Sequence, residues 1–323
     1  MSQRPAPPLP ATARRVLQGD RQALAQLISR VENRDPSALP SVRALYSHSG
    51  HATVVGITGP LGVGKSSLVN LLLAHLRAEG KGVGIVAVDP SSPFSGGSIL
   101  GDRIRLERPA GDDGVFIRSM AARGHAGGVA LATRETVRLL DAFGMDVILV
   151  ETVGSGQADV EIHNVASTSV VVVVPHLGDE IQSLKAGLFE IADVFSVNKA
   201  DLPGADSAAR YLSEMTHLVP GTGAWRPVVV QTSTVTPRGV PELWNAVRQH
   251  EAFLDASGTR RARDRQRLTD EILGLVRERV DAQLLKALEQ EPDLKSLLDR
   301  VVAREIDPHS AAERLLAEVR PSR

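Results

Sequence analysis

The chain of 323 residues contains no cysteine. Structural disulfides, thiolate metal sites and cysteine nucleophiles are therefore excluded. Neither sign of charge is in surplus: 37 lysines and arginines stand against 38 aspartates and glutamates, a formal net charge of -1. The whole-chain electrostatic footprint of a nucleic-acid binder is missing, and no nucleic-acid partner is expected. Long apolar runs are missing as well. No segment reaches the roughly 18 uninterrupted apolar residues that a membrane helix needs. The most apolar run, residues 170–175, is the length of a strand. The opening Met1-Ser2-Gln3-Arg4-Pro5 leads into a Pro/Ala stretch without the apolar centre of a secretory signal. These absences predict a cytoplasmic protein with no membrane partner. The length accommodates one large α/β domain with extensions, or two small domains.

What is present has a clear order. Residues 1–10, rich in Pro and Ala, are expected to be disordered because they offer little to bury. From Ala11 the spacing is helical, with Val16, Leu24, Leu27, Ile28 and Val31 on one stripe. Asn33-Arg34-Asp35-Pro36 ends that helix, and a second short helix is expected at 41–46. Residues 11–50 thus read as a helical extension. Buried-strand patterns follow at 52–58, 83–88, 115–118, 146–151, 170–175, 194–198 and 228–232, most of them separated by helical stretches such as 65–79. Val/Ile/Leu-rich strands alternating with helices predict an α/β fold, a mostly parallel sheet covered on both faces, over residues 51–255. A helical arm is expected over 256–323. Its charge run near Arg260–Arg267 reads as a solvated helix face.

Gly59-Pro60-Leu61-Gly62-Val63-Gly64-Lys65-Ser66 matches the P-loop pattern G-x-x-x-x-G-K-[ST]. Its glycines let the backbone of the whole loop, Leu61 and Val63 included, wrap phosphate oxygens, and the helix that starts there points N–H groups at the anion. Lys65 adds a point charge at the β- and γ-phosphates, and the Ser66 hydroxyl suits Mg²⁺. The pattern lies between a buried strand and an amphipathic helix, the context the motif requires. Three carboxylates at or just beyond strand ends are candidate metal ligands: Asp89, Asp102 and Glu151. Gly154, three residues after Glu151, offers an N–H to the γ-phosphate.

Asn198-Lys199-Ala200-Asp201 follows another strand. Asp201 can accept from the N1–H and 2-amino group of guanine, and adenine has neither donor, so it would leave a charge unpaired. Asn198 either bonds the O6/N7 edge or ties this loop to the P-loop, and the Lys199 stem can lie over the base. Thr232-Ser233-Thr234, after the next strand, is a second candidate base loop. GTP/GDP and Mg²⁺ are the expected cofactors.

The chain resembles the MeaB/ArgK/MMAA group of GTPases over roughly residues 15–290. The most specific stretches are Val88-Asp89-Pro90-Ser91-Ser92-Pro93-Phe94-Ser95-Gly96-Gly97-Ser98-Ile99-Leu100-Gly101-Asp102-Arg103-Ile104-Arg105, Phe116-Ile117-Arg118-Ser119-Met120-Ala121-Ala122-Arg123-Gly124-His125, Glu151-Thr152-Val153-Gly154-Ser155-Gly156-Gln157, and Gly178-Asp179-Glu180-Ile181-Gln182 with Lys185. The resemblance implies a SIMIBI-class P-loop GTPase with helical N- and C-terminal extensions, the latter used for homodimerisation. It implies a chaperone of an adenosylcobalamin-dependent acyl-CoA mutase, methylmalonyl-CoA mutase being the commonest client. It maps the Mg²⁺ site onto Ser66, Asp89, Asp102 and Glu151, and mobile switch segments onto 102–105, 151–157 and 178–185. The chain departs from the family pattern at Leu61, where proline is usual, at Ser67, where threonine is common, and at Thr232-Ser233-Thr234, where Ser-Ala is usual.

Hydrolysis needs an in-line water and positive charge at the β–γ bridge. Lys65 supplies part of that charge, Gln157 is the candidate water positioner, and Lys185 and Arg105 are candidates for charge added when the partner orders their loops. His125 and His176 read as loop histidines rather than metal ligands, and Arg123 as a surface residue. A nickel metallochaperone would require thiolates or clustered imidazoles, and the nine histidines are scattered. A kinase would require an acceptor site and tolerance of ATP, against the Asp201 reading. A regulatory switch without a mutase partner is the third alternative.

Overall fold

The computed structural model describes residues 8–89, 111–121, 128–152, 162–175, 186–218, 225–290 and 292–318. Contacts divide the chain into two compact units, Met1–Arg261 and Ala262–Arg323.

The first unit opens with α1 (Ala11–Leu17), α2 (Arg21–Glu32) and α3 (Leu39–Leu45). The single helix expected from Ala11 is therefore two. Gly19 takes φ 83°, and the N–H groups of Gly19 and Asp20 turn back onto the carbonyls of Val16 and Arg15, both at 3.0 Å. This left-handed glycine closure ends α1. Asp20 then restarts the helix by accepting the Ala23 N–H at 3.0 Å. The expected stripe survives the break, because Val16, Leu24, Leu27, Ile28 and Val31 all enter one core.

Seven strands form one sheet: β1 (Thr53–Thr58), β2 (Val83–Asp89), β3 (Val115–Ala121), β4 (Val147–Thr152), β5 (Thr168–Val173), β6 (Val194–Val197) and β7 (Val228–Gln231). Their order is β3-β2-β4-β1-β5-β6-β7, and every pairing is parallel. Between the strands run α4 (Lys65–Ala78), α5 (Gly128–Ala142), α6 (Ala186–Ile191) and α7 (Ala205–Leu218), with α8 (Val240–Ala256) after β7. Alternate strand residues feed two cores. Val83, Ile85, Val147, Leu149, Val170 and Val172 pack with α4 and α8. Val86, Val88, Ile148, Val150, Val171 and Val173 pack on the other face with α2, α5, α6 and α7. A period-two pattern that is apolar at both phases is the signature of a strand buried on both sides.

Two strands differ from their sequence patterns, each for a polar reason. β3 runs on to Ala121 because it stays paired with β2 through Asp89. Arg118 is tolerated within it because its Nε donates to Glu32 Oε1 at 2.8 Å. β5 starts at Thr168, two residues before the apolar run. Thr168 and Ser169 are fully buried there, in a polar cluster. Thr168 Oγ1 lies 2.8 Å from His250 Nδ1 and donates to Glu251 Oε1 at 2.5 Å. The Ser169 N–H donates to Asp193 at 2.9 Å, and His250 Nε2 lies 3.1 Å from the other Asp193 oxygen. With the Thr168 hydroxyl and the Ser169 N–H satisfied in this way, these polar residues extend a buried strand.

The remaining helices are α9 (Thr259–Gln290), α10 (Pro292–Val302) and α11 (Pro308–Glu318). In the second unit Leu294, Leu297 and Ala311 form a small core with Leu288, Val301, Ile306 and Leu315. Arg260, at the start of the expected charged run, is not merely solvated. Its guanidinium donates to Glu251 Oε2 at 2.8 Å and also pairs with Asp255, and these carboxylates hold its pKa above the ordinary arginine value. No described helix is long and apolar enough to cross a membrane.

Candidate nucleotide site

The carboxyl ends of β1, β4, β5, β6 and β7 lie side by side, the end of a parallel sheet where ligands bind. β1 delivers the chain into a loop, residues 59–64, that hands over to α4. Two of its glycines are required by space as well as by backbone conformation. Gly59 has φ 141°, and a Cβ there would stand 2.2 Å from the Val172 carbonyl oxygen on β5. Gly64, the N-cap of α4, has φ 93°, and its Cβ would stand 2.5 Å from Asn198 Nδ2. The loop is thus pressed against β5 and the end of β6, and it leads into the N-terminus of α4, the end of a helix that favours an anion.

Lys65 is 7 % exposed. Its ammonium donates to the carbonyls of Gly59 at 2.7 Å and Pro60 at 2.9 Å, so the charge is folded over the loop it belongs to. Ser66 Oγ donates to Glu151 Oε1 at 2.6 Å. Glu151 is 5 % exposed near the end of β4, level with Ile57 on β1 and Ala87 on β2. One residue on, Thr152 Oγ1 donates to Thr58 Oγ1 at 2.9 Å. A serine hydroxyl and a carboxylate, both oxygen donors beside a phosphate loop, are the donor set that a hard divalent cation prefers. Asp89 ends β2, the strand next to β4.

Asn198 follows β6 and is fully buried. Of the two roles open to it, the one observed is the tie to the phosphate loop: Nδ2 donates to the Val63 carbonyl at 2.8 Å. Its Oδ1 accepts from Thr232 Oγ1 at 3.1 Å, and Thr232 Oγ1 also lies 2.8 Å from Ser196 Oγ. Lys199, at φ 55°, donates from Nζ to the Gly62 carbonyl at 2.8 Å, a second tie across the same gap. Asp201 is exposed, and Ser233 Oγ donates to its Oδ1 at 2.5 Å. That hydrogen bond, the residue's own N–H, and the Arg238 and Lys199 charges together hold its carboxyl below the usual value against partial desolvation. The loops after β6 and β7 are also joined through backbone, Ala200 N–H to Thr232 O and Thr232 N–H to Val197 O, both 2.9 Å.

The structure therefore brings together residues 59–66, Glu151, Asn198, Lys199, Asp201, Thr232 and Ser233. Ser67 lies in the first turn of α4, and Thr234 continues the loop after Ser233. Asp102, Arg105, Arg123, His125, Gly154, Gln157, His176 and Lys185 lie outside the described residues, as does the side chain of Asp89. Among the described residues no group of three or more histidine or acidic side chains is placed to hold a metal. One contact of the site was not foreseen: Arg238 donates to the Ala200 carbonyl at 2.6 Å. Its only sequence signal is a Pro237-Arg238-Gly239 turn between a strand and a helix.

The model of the methylmalonyl Co-A mutase-associated GTPase MeaB matches residues 24–289. The chain belongs to the MeaB family. This MeaB-family protein is 37% identical to the GTPase ArgK of Escherichia coli, over 77% of this chain and 78% of that one. It is 33% identical to the mouse mitochondrial methylmalonic aciduria type A homolog, over 81% of this chain and 64% of that protein. It is 45% identical to a Pyrococcus abyssi protein, over 94% and 95% of the two chains. A solved structure described as an LAO/AO transport system kinase superposes with a TM-score of 0.66 at 27% identity, over 95% of this chain and 96% of that one. The all-parallel sheet is that of a P-loop GTPase.

Proposed function

We propose that this protein binds guanine nucleotides at the carboxyl end of the sheet, hydrolyses GTP to GDP and phosphate, and serves as chaperone to an adenosylcobalamin-dependent acyl-CoA mutase, methylmalonyl-CoA mutase or a relative. The observation that carries the nucleotide part is the Asn198–Val63 hydrogen bond of 2.8 Å. It fixes the base loop to the phosphate loop at a set distance, so one ligand spans both. Support for the mutase part is the family match and the name of the mouse relative.

In this reading the N–H groups of the phosphate loop, with Leu61, Val63 and Ser67 in the cradle, take the phosphates. The Lys65 ammonium leaves the Gly59 and Pro60 carbonyls for the β- and γ-oxygens. Asp201 reads N1–H and the 2-amino group of guanine, and Ser233 keeps one of its oxygens oriented. Ser66, Glu151, Asp89 and Asp102 would hold Mg²⁺, which when bound neutralises charge developing on the phosphates. Gly154 offers an N–H to the γ-phosphate, Gln157 orients the attacking water, and Lys185 contributes charge when the partner orders its segment.

The second unit is assigned to homodimerisation. α9 exposes Leu268, Ile272, Leu273 and Val276, spaced to share a helix face. We place the protein in the cytoplasm, where a chain without cysteine loses nothing in a reducing medium.

Phosphate release from GTP and from ATP, measured with the purified full chain with and without a methylmalonyl-CoA mutase, tests the reading. Turnover of GTP alone, accelerated by the mutase, is expected. Turnover of ATP at a comparable rate overturns the base assignment, and indifference to a panel of cobalamin mutases overturns the chaperone assignment. A γ-label that appears on protein instead of as free phosphate would support the kinase reading suggested by the name of the solved relative.

A further inference from the structure

We propose that Arg238 is a positioning residue for base recognition, a clamp that holds the turn of residues 198–201 against the turn that follows β7. The proposal rests on the guanine-site reading above.

Three observations converge on it. Arg238 is fixed at its backbone. Its N–H and carbonyl pair with those of Ser233 at 3.3 and 3.2 Å in an isolated antiparallel bridge. The next residue, Gly239, has φ 78° and lies so close to β7 that a Cβ would stand 2.0 Å from the Gln231 carbonyl oxygen. The guanidinium then reaches across to the Ala200 carbonyl at 2.6 Å. Ala200 is thereby held from both sides, since its own N–H donates to Thr232 O at 2.9 Å. The peptide clamped in this way lies between Lys199 and Asp201. Lys199 is one of three described non-glycine residues with positive φ, a conformation that persists only where neighbouring contacts over-determine it. Asp201 is the base-reading carboxylate, and the Arg238 charge adds to the Ser233 hydrogen bond in lowering its pKa.

Without the clamp, the turn keeps Asn198 and Ser233 but loses the contact that fixes the peptide before Asp201. The expected loss is in binding, because a site that is correctly shaped for only a fraction of the time binds in proportion to that fraction. Arg238 is exposed, which limits the effect to about tenfold.

The test is equilibrium binding of GDP and IDP to the full chain and to Arg238→Ala, Arg238→Lys and Arg238→Met. Inosine lacks the 2-amino group, so the GDP-to-IDP ratio reports the placement of Asp201. For Arg238→Ala the expected result is GDP affinity lower by about tenfold, and a GDP-to-IDP preference narrowed by at least about threefold. Arg238→Lys should recover part of both. Arg238→Met keeps the aliphatic stem and takes the place of Arg238→Ala if the alanine variant does not fold, with the same losses of affinity and ratio expected. A general loss of stability would lower the melting temperature while leaving the ratio unchanged, which is the result that overturns the proposal. Wild-type affinity and ratio in Arg238→Ala overturn it equally. Absence of GDP binding by the unaltered chain would instead overturn the guanine-site reading, and this inference with it.

Discussion

Asn198→Ala removes the side chain that joins the two halves of the site. The amide is fully buried, and both of its ends are used. Nδ2 donates to the Val63 carbonyl at 2.8 Å, and Oδ1 accepts from Thr232 Oγ1 at 3.1 Å. Thr232 retains a partner in Ser196 Oγ at 2.8 Å, so its loss is partly compensated. Val63 O is left facing the space the amide vacates. Leaving a buried acceptor unsatisfied costs about 1–3 kcal/mol, and the Thr232 bond adds about 1 kcal/mol. A destabilisation of about 2–4 kcal/mol follows. In a domain of this size that corresponds to a melting temperature lower by about 5–15 °C. Asn198→Asp should be at least as damaging, because it aims a carboxylate oxygen at the Val63 carbonyl. Thermal unfolding followed by circular dichroism and GDP binding by calorimetry, on the same preparations, check both variants. GDP affinity should fall with stability, because the two loops lose their fixed separation. A melting temperature within about 1 °C of the parent, or undiminished GDP affinity in Asn198→Ala, would refute the claim that this amide sets the site's span.

Other expectations are as direct. Glu151→Gln keeps the shape but replaces a charged acceptor of the Ser66 hydroxyl with a neutral one; GTP turnover should fall at least about a hundredfold with GDP affinity changed far less, measured by phosphate release and calorimetry. Asp201→Asn should exchange guanine for xanthine preference, because the amide can donate where the carboxylate accepted; competition between GDP and XDP reads this. The depressed Asp201 carboxyl contributes stability that is fully present above its ordinary value of 3.8 and is lost as pH falls through the lower folded value. Acid unfolding of Ser233→Ala should therefore begin at higher pH than that of the parent. Phe195→Ala, at a fully buried aromatic of β6, should cost about 3–5 kcal/mol, measured by urea unfolding.

Sequence alone exposed the parts of the site that need special residue types. The glycines at 59 and 64 stand where backbone or amide approaches within 2.2 and 2.5 Å of a would-be Cβ, so no other residue fits and the motif is visible. The strand terminus carrying Glu151 was legible because the run before it is apolar at both phases, and the one carrying Asn198 because Val194, Phe195 and Val197 precede it. The start of β5 was not, because Thr168 and Ser169 are buried polar residues whose partners His250, Glu251 and Asp193 lie far along the chain. The break at Gly19 hid within a continuous apolar stripe, since the stripe is kept on both sides of it. Arg238 escaped for a similar reason: its contact with Ala200 spans 38 positions, and a single arginine in a turn carries no pattern. Which role Asn198 takes was also beyond the sequence, because both roles use the same amide.

The central claim is that one ligand, a guanine nucleotide, bridges residues 59–66 and the loops at 198–201 and 232–234. Its most direct test is a calorimetric titration of the full chain with GDP and, separately, with ADP, in the presence of Mg²⁺. The account predicts saturable binding of GDP at one site per chain, and affinity for ADP at least about a hundredfold weaker, because adenine lacks both donors that the Asp201 carboxylate accepts from guanine. Equal affinities, or preference for ADP, would contradict it.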